Sequence, residues 1–346
     1  MLKDYFEVPN KPAIKSGNVL SCDFTDHETF IPQPLDFTRN TSATYVDCNG
    51  IIAEAGIDIP RIDYLTEIGK AKELQKPSLL LEPQATNNYT YSNDFTQTYW
   101  LKQNGVTVSS NQTKSPEDVV NADKLISANA TSEQYLNNTS ISTTSGDDVT
   151  ISCFVKKLDY DYFHIRFTAT GGVWVAASVW YNISDGTVGT VEAGITAKIE
   201  NYGHGWYRCS ATRTATGTGS GRVRLQLASA DNTANIVGDG IKGTFIYGAQ
   251  WEVGSYPTSY IPTSGSTVTR NVELCDNAGQ RGVFNNEEGT IYLEFTELGF
   301  TNPNQTSIGV SQDSSSNNRL LLFRGGGANW AFQVRAASVN VVSNTI

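Results

Sequence analysis

The chain has 346 residues, with 35 acidic against 25 basic side chains, a net charge of −10 and a pI near 4.8. That charge repels a phosphate backbone, so nucleic acid is excluded as an expected partner, and no run of about 18 apolar residues offers a helical membrane span. Charged residues make up 17% against a usual share of about a quarter, and a single Met with few Ala-Glu-Lys-Leu runs leaves little material for long helices, which points to an all-β protein.

Residues 1–35 carry Pro9, Pro12, Pro32 and Pro34 with little periodicity and read as an extended arm structured by a partner. The amino end lacks an apolar h-region, so no secretory signal is expected. Residues 36–78 form a small β leader around Asn49-Gly50, a hairpin turn signal. Its apolar positions, among them Ile51, Ile52, Ile57 and Ile59, are too few for a core of their own, so the leader should pack on the larger domain after it. Residues 67–76 suit one short helix.

From residue 79 the pattern becomes strand, turn, strand. Segments 150–156, 160–167, 173–182, 206–212 and 222–228 alternate, with glycine turns between them and no helical period, as in a sandwich or jelly roll. Segment 244–251 sets Phe245, Tyr247, Ala249 and Trp251 on one side of a strand. Pro257 and Pro262 then remove two amide donors and carry the chain out of the sheet as an extended strap that closes the domain near residue 270. Residues 271–346 start afresh, with strands at 290–295, 319–324 and 329–335.

Two stretches carry a resemblance. Gly248-Ala249-Gln250-Trp251-Glu252-Val253-Gly254 with its Pro-Thr-Ser-Tyr strap, and Leu79-Leu80-Leu81-Glu82-Pro83-Gln84-Ala85-Thr86-Asn87, resemble the end and beginning of a module found in phage tail and fibre proteins, with a core similar to carbohydrate-binding-module jelly rolls. Phe37-Thr38-Arg39-Asn40-Thr41-Ser42-Ala43-Thr44-Tyr45-Val46-Asp47-Cys48-Asn49-Gly50 resembles the segment that precedes it. The resemblance covers residues 37–270 and names no catalytic motif. The last 75 or so residues resemble the opening of a concanavalin A-like (laminin G) sandwich and are too short for that fold, so either the sequence is a piece of a longer one or identical strands from partner chains complete it. What this implies is a virion protein of a bacteriophage, an arm that attaches to other virion proteins, a homo-oligomer (a trimer, by likeness to tail fibres), and assembly in the host cytoplasm with exposure on the particle.

Motifs with chemistry are few. Gly238-Asp239-Gly240-Ile241-Lys242-Gly243 spells a phosphate-binding fingerprint but precedes a strand, so it reads as a turn. Cys22, Cys48, Cys153, Cys209 and Cys275 include no CxxC pair, and Cys153 and Cys209 fall on inward positions as buried thiols. His27, His164 and His204 stand apart, without metal-ligand spacing. Asp231, Asn232, Asp239 and Asp147-Asp148 offer loop oxygens for a structural calcium ion, to which no position is assigned. No cofactor and no catalytic residue is expected.

The strand faces carry more. Phe163, Ile165 and Phe167 oppose Tyr162, His164 and Arg166; Val173, Val175, Ala177 and Val179 oppose Trp174, Ser178 and Trp180. Trp206 and Arg208 oppose Tyr207 and Cys209, while Arg222, Arg224 and Gln226 oppose Val223, Leu225 and Leu227. Aromatic planes stack on sugar C–H faces, and Arg, Gln and Asn bond hydroxyls. The expected glycan-binding residues are therefore Tyr162, His164, Arg166, Trp174, Trp180, Arg208, Arg224 and Gln226. A hairpin at residues 168–172 would set Arg166 beside Trp174, and Trp206 and Trp251 fit better as packing residues. The expected function is a non-enzymatic tail-fibre or tail-spike adhesin that binds host surface glycan. The alternatives are a purely structural fibre or head-decoration subunit, or a depolymerase whose catalytic part lies elsewhere.

Overall fold

The computed structural model describes residues 36–71 and 74–276, together with four strands between residues 307 and 345. The expected arm (1–35) and the expected strand at 290–295 lie outside the described residues. The fold is all-β and is built around a β-sandwich.

In chain order the sandwich strands are Trp100–Gln103 (β1), Thr107–Lys114 (β2), Val120–Ile126 (β3), Tyr135–Asn138 (β4), Asp148–Lys156 (β5), Tyr162–Phe167 (β6), Ala177–Asn182 (β7), Thr187–Val191 (β8), Thr196–Asn201 (β9), Trp206–Thr214 (β10), Val223–Ala228 (β11) and Gly243–Val253 (β12). Sheet I runs β8-β7-β6-β11-β4-β1 and sheet II runs β9-β10-β5-β12-β3-β2, with six strands in each. All neighbours are antiparallel. The chain passes repeatedly from one sheet to the other, so strands distant in sequence lie side by side, as in a jelly roll.

Between the sheets the aliphatic and aromatic rows meet. Phe163, Ile165, Phe167, Val179, Tyr181, Val223, Leu225 and Leu227 of sheet I pack on Val149, Ile151, Cys153, Val155, Cys209 and Trp251 of sheet II. Cys153 and Cys209 face each other across β5 and β10 as free, buried thiols, pushed up in pKa first by burial.

The alternation in β12 does not run unbroken. The pairing of β5 with β12 shifts between Ser152 and Phe154, so two residues of β12 oppose Cys153. Gly248 sits at this bulge with φ +58, and a Cβ there would lie 2.7 Å from the Phe154 ring. As a result Ile246, Ala249 and Trp251 point into the sandwich, whereas Phe245 and Tyr247 point out of it. The expected single row of Phe245, Tyr247, Ala249 and Trp251 is thus two half-rows on opposite faces.

The outward half-row seeds a second core. Tyr247 and Phe245 join Phe154, Tyr202, Trp206 and Tyr260 beneath Val46, Ile52, Leu65 and Ile68 of the leader. The leader hairpin pairs Ala43–Val46 with Ile52–Ala55, and Asp47 accepts from the amides of Asn49 and Ile51 to shape the turn at Gly50. In place of the expected helix over 67–76, the described residues show a 3-10 turn at Leu65–Glu67.

The strap lies on sheet II. It cannot pair as a strand where prolines remove its amides, so buried side chains of the sheet serve its backbone instead. Arg208 donates to Thr258 O (2.7 Å), Gln250 accepts from Ile261 N (2.7 Å), and Glu252 accepts from Thr258 N (3.0 Å).

Behind the strap, five charged residues close the domain. Arg39 donates to Glu273 at 2.7 Å, and Arg61 bonds both Glu273 (2.7 Å through Nε) and Glu82 (2.9 Å). Arg270 lies 3.4 Å from Glu82, and all of these side chains are essentially without solvent exposure. Carbonyls of Thr41, Gly56, Thr44 and Pro83 take up further guanidinium donors, while Arg270 Nε and Nη1 are buried without a hydrogen-bond partner. The strands Asp36–Thr38 and Leu274–Asp276 then pair, with Asp36 opposite Asp276. The chain therefore enters and leaves this body side by side.

In the carboxyl-terminal part, Ser307–Ser311, Arg319–Arg324, Trp330–Ala336 and Val339–Thr345 form a four-stranded antiparallel sheet in that order. The strand expected at 319–324 is present, and the one expected at 329–335 runs from Trp330 to Ala336.

The ion cluster leads to two expected outcomes. Glu273→Ala strands the buried Arg39 guanidinium and leaves Arg61 with Glu82 as its one carboxylate, and it should lower stability by about 3–5 kcal/mol, read from the urea midpoint. Burial by itself would raise the Glu82 carboxyl, but Arg270 and Arg61, with hydrogen bonds from Ser259, outweigh it and hold it down at about 2. Its contribution is complete above the unfolded carboxylate range of about 4.3 and is lost as pH falls toward 2. Urea midpoints across that window should fall more steeply for the native chain than for Glu82→Gln.

Candidate functional site

The two sheets differ in what covers their outer faces. Sheet II is roofed by leader and strap. Sheet I presents three cross-strand rows built by the register of β7, β6, β11, β4 and β1. The first row is Asn182–Tyr162–Ala228, the second Trp180–His164–Gln226–Tyr135–Gln103, and the third Ser178–Arg166–Arg224–Asn137–Leu101.

The second row is buried from Trp180 to Tyr135. His164 and Trp180 stack with centroids 4.3 Å apart and planes 11° from parallel. The Trp180 indole donates to Thr233 O (3.2 Å), and Gln226 donates to Ala234 O (2.7 Å). Segment 233–234, leading into the short strand Asn235–Val237, thus lies across this row, and that strand pairs with Thr131–Glu133. Burial, helped by Arg166 and Arg224, pushes the His164 imidazole down to about 3, so it is neutral at physiological pH. Both ring nitrogens of His164, Gln226 Oε1 and Ser178 Oγ are buried without a protein partner.

The third row is partly open at Arg166, Arg224 and Asn137, while Ser178 at its end is buried. Arg166 and Arg224 lie directly opposite each other and share one carboxylate, Glu133, at 3.5 and 2.6 Å, with side-chain exposures of 32%, 21% and 31%. The Arg224 guanidinium also rests 4.0 Å from the centre of the Tyr135 ring. Tyr162 is half-buried at the end of β6, with the Asn182 amide 3.5 Å from its hydroxyl.

The eight expected residues therefore divide. Tyr162, Arg166 and Arg224 share an accessible face. His164, Trp180 and Gln226 share that face but lie under the 233–234 segment. Two are corrected outright. Arg208 belongs to sheet II, where it lies over the Phe154 ring at 5.3 Å and holds the strap. Trp174 is not on a strand: Gly171 and Gly172 take φ +75 and +69 in a 3-10 turn, and regular pairing resumes only at Ala177. Its ring enters the sandwich core, 5.1 Å from Phe167 and 5.9 Å from Trp251, while Val175 of the expected aliphatic row is 73% exposed. Arg166 faces Ser178, not Trp174, so the expected trough between Trp174 and Trp180 does not form.

Glu133, Tyr135 and Asn137 complete the face and escape sequence reasoning. Their signal is the short alternation Tyr135-Leu136-Asn137, in which only Leu136 points inward. A separate pocket of about 460 Å³ opens between the leader turn and the 201–207 loop, with Asp47, Asn49, Tyr64, His204 and Tyr207 among its walls. Among the described residues no cluster of three or more His, Cys, Asp or Glu side chains could hold a metal. Asp231 is bonded to Thr190, Asp239 to the amides of Ile241 and Lys242, and Asp148 to Thr214.

No protein-family model matches the chain, and no curated protein matches it. The site rests on its own geometry.

Trp174→Ala should cost about 3–5 kcal/mol of stability, as expected for a large aromatic removed from a packed core. Chemical denaturation checks this, and a loss near zero would contradict the placement of the ring.

Proposed function

We propose that this protein is a non-enzymatic virion adhesin of tail-fibre or tail-spike type, and that the open part of the sheet I face binds host surface glycan. The reading is supported by the jelly-roll sandwich, by the resemblance of residues 37–270 to phage tail modules, and above all by one asymmetry. The central strands of sheet II are covered on the outside by leader and strap, whereas sheet I leaves Tyr162, Arg166, Arg224 and Asn137 partly accessible together. Aromatic, guanidinium and amide groups on one rigid sheet are what sugar recognition uses.

A structural spacer is the second reading, favoured by the burial of His164, Trp180, Gln226, Trp174 and Arg208 among the eight residues expected to bind. The virion location and attachment through the amino-terminal segment belong to the same proposal. So does homo-oligomerisation, supported by five exposed large apolar residues near the place where the chain enters and leaves: Ile57, Ile59, Leu81, Val272 and Leu274.

Tyr162→Ala should weaken glycan binding by about 1–3 kcal/mol, by analogy with stacking on aromatic platforms, and leave the melting temperature nearly unchanged because the residue is only half-buried. A glycan array and thermal melting on the full chain test this. Binding unaffected by the substitution, or no glycan bound, favours the spacer. Sedimentation at micromolar concentration should show an oligomer, and a folded monomer overturns that part.

A further inference from the structure

The same face has an uneven charge. Resting on the glycan reading, we propose that its ligand is acidic: a sugar carrying an anionic substituent, a carboxylate of uronic or sialic type in the first instance, held by Arg166 and Arg222 beside Arg224.

Arg222 immediately precedes β11, and alternation from the inward Val223 sets it on the outward side with Arg224, roughly 6.6 Å away at about 3.3 Å per residue. It is half-exposed, its Nε donates to Ser140 Oγ (2.9 Å), and it forms no ion pair among the described residues. This end of the face thus holds the guanidiniums of Arg166, Arg222 and Arg224 against the carboxylate of Glu133, while Asp185 bonds Asn182 at the far end of the first row. Glu192, the next acid in reach of this row, is bonded to the Ser178 amide and lies toward Arg213. A surplus of positive charge at one end of a sheet face, in a chain with net charge −10, is a local inversion, and such a patch selects anions.

The geometry distributes the roles. Glu133 holds Arg224 tightly at 2.6 Å and Arg166 loosely at 3.5 Å, and Tyr135 supports Arg224 from below at 4.0 Å. Arg224 is therefore fixed, while Arg166 and Arg222 keep donors free for a planar anion, which guanidinium forks bind in pairs. Around them lie buried polar atoms without a hydrogen-bond partner: Asn137 Oδ1 and Arg224 Nε in the row itself, and Gln226 Oε1 and both His164 ring nitrogens in the row beside it. A neutral His164 adds no charge to repel or attract the ligand.

The test uses the full chain on an array pairing neutral oligosaccharides with uronic-acid, sialylated, sulfated and phosphorylated members, and with carboxyl-reduced forms of the acidic ones. The expected result is preferential binding of carboxylated members, lost on carboxyl reduction and weakened by salt. Arg166→Gln and Arg222→Gln should each lower affinity for the acidic member roughly 10- to 100-fold, with unchanged melting. Glu133→Gln should act in the opposite direction, tightening acidic binding by releasing the arginines it engages, which a purely structural pair would not do. Preference for sulfated or phosphorylated members moves the proposal to those anions and overturns the carboxylate. Equal binding of neutral and acidic members overturns the charge inference and leaves the glycan reading standing. Binding to no member overturns both.

Discussion

The structure depends on an interaction that water never reaches. Arg39 and Arg61 come from the leader, Glu82 from the segment before the sandwich, and Arg270 and Glu273 from the segment after the strap. Each of these charges would be costly to bury alone, and together they are tolerable only if every part is in place. The cluster therefore acts as a check on completeness. The leader has too little apolar surface to hold itself, yet its Val46, Ile52, Leu65 and Ile68 cover the outward aromatics of sheet II, and the ion cluster sets it in that position. Leader, strap and sandwich form one body because of it.

That body explains why the two sheets have different fates. Polar residues on the outside of sheet II are there to satisfy a proline-bearing strap, so Arg208, Gln250 and Glu252 are structural despite their chemistry. Burial pushes the Glu252 carboxyl up, with hydrogen bonds from Thr258 opposing it. Sheet I has no strap, only the 233–234 segment lying across one row, and Tyr162, Arg166, Arg224 and Asn137 remain partly exposed.

Much of this is legible in the sequence, and what is not has physical causes. Phe163, Ile165 and Phe167 alternate within one uninterrupted strand, so their inward orientation follows from the two-residue period alone. The Asn49-Gly50 turn announces its hairpin through a left-handed backbone that Gly accepts. The bulge at Gly248 is hidden because residue type keeps alternating through it: Phe245 and Tyr247 look like a continuation of Ala249 and Trp251 although they face the other way. Trp174 misleads for a related reason. Val173-Trp174-Val175 has the spacing of a strand, but the chain is still leaving a turn there, and the periodicity is accidental. Arg208 does point outward as its alternation indicates, but its cover arrives from about fifty residues away (Thr258) and no local pattern encodes it. The ion cluster is less legible still, since Arg39 and Glu273 are 234 residues apart.

The pairing of Asp36–Thr38 with Leu274–Asp276 has a mechanical meaning. The flanking segments join this body at adjacent strands, so tension between them would run from residue 36 to residue 276 and leave the sandwich unloaded. The ribbon that carries it would be pulled from its open end, where hydrogen bonds lying across antiparallel strands give way one at a time instead of sharing the load. Immediately behind them stands the Arg39–Glu273 pair, at 2.7 Å, as the next element to resist. A body attached in this way is a side branch, able to keep its outer face presented while force passes along the chain beneath it.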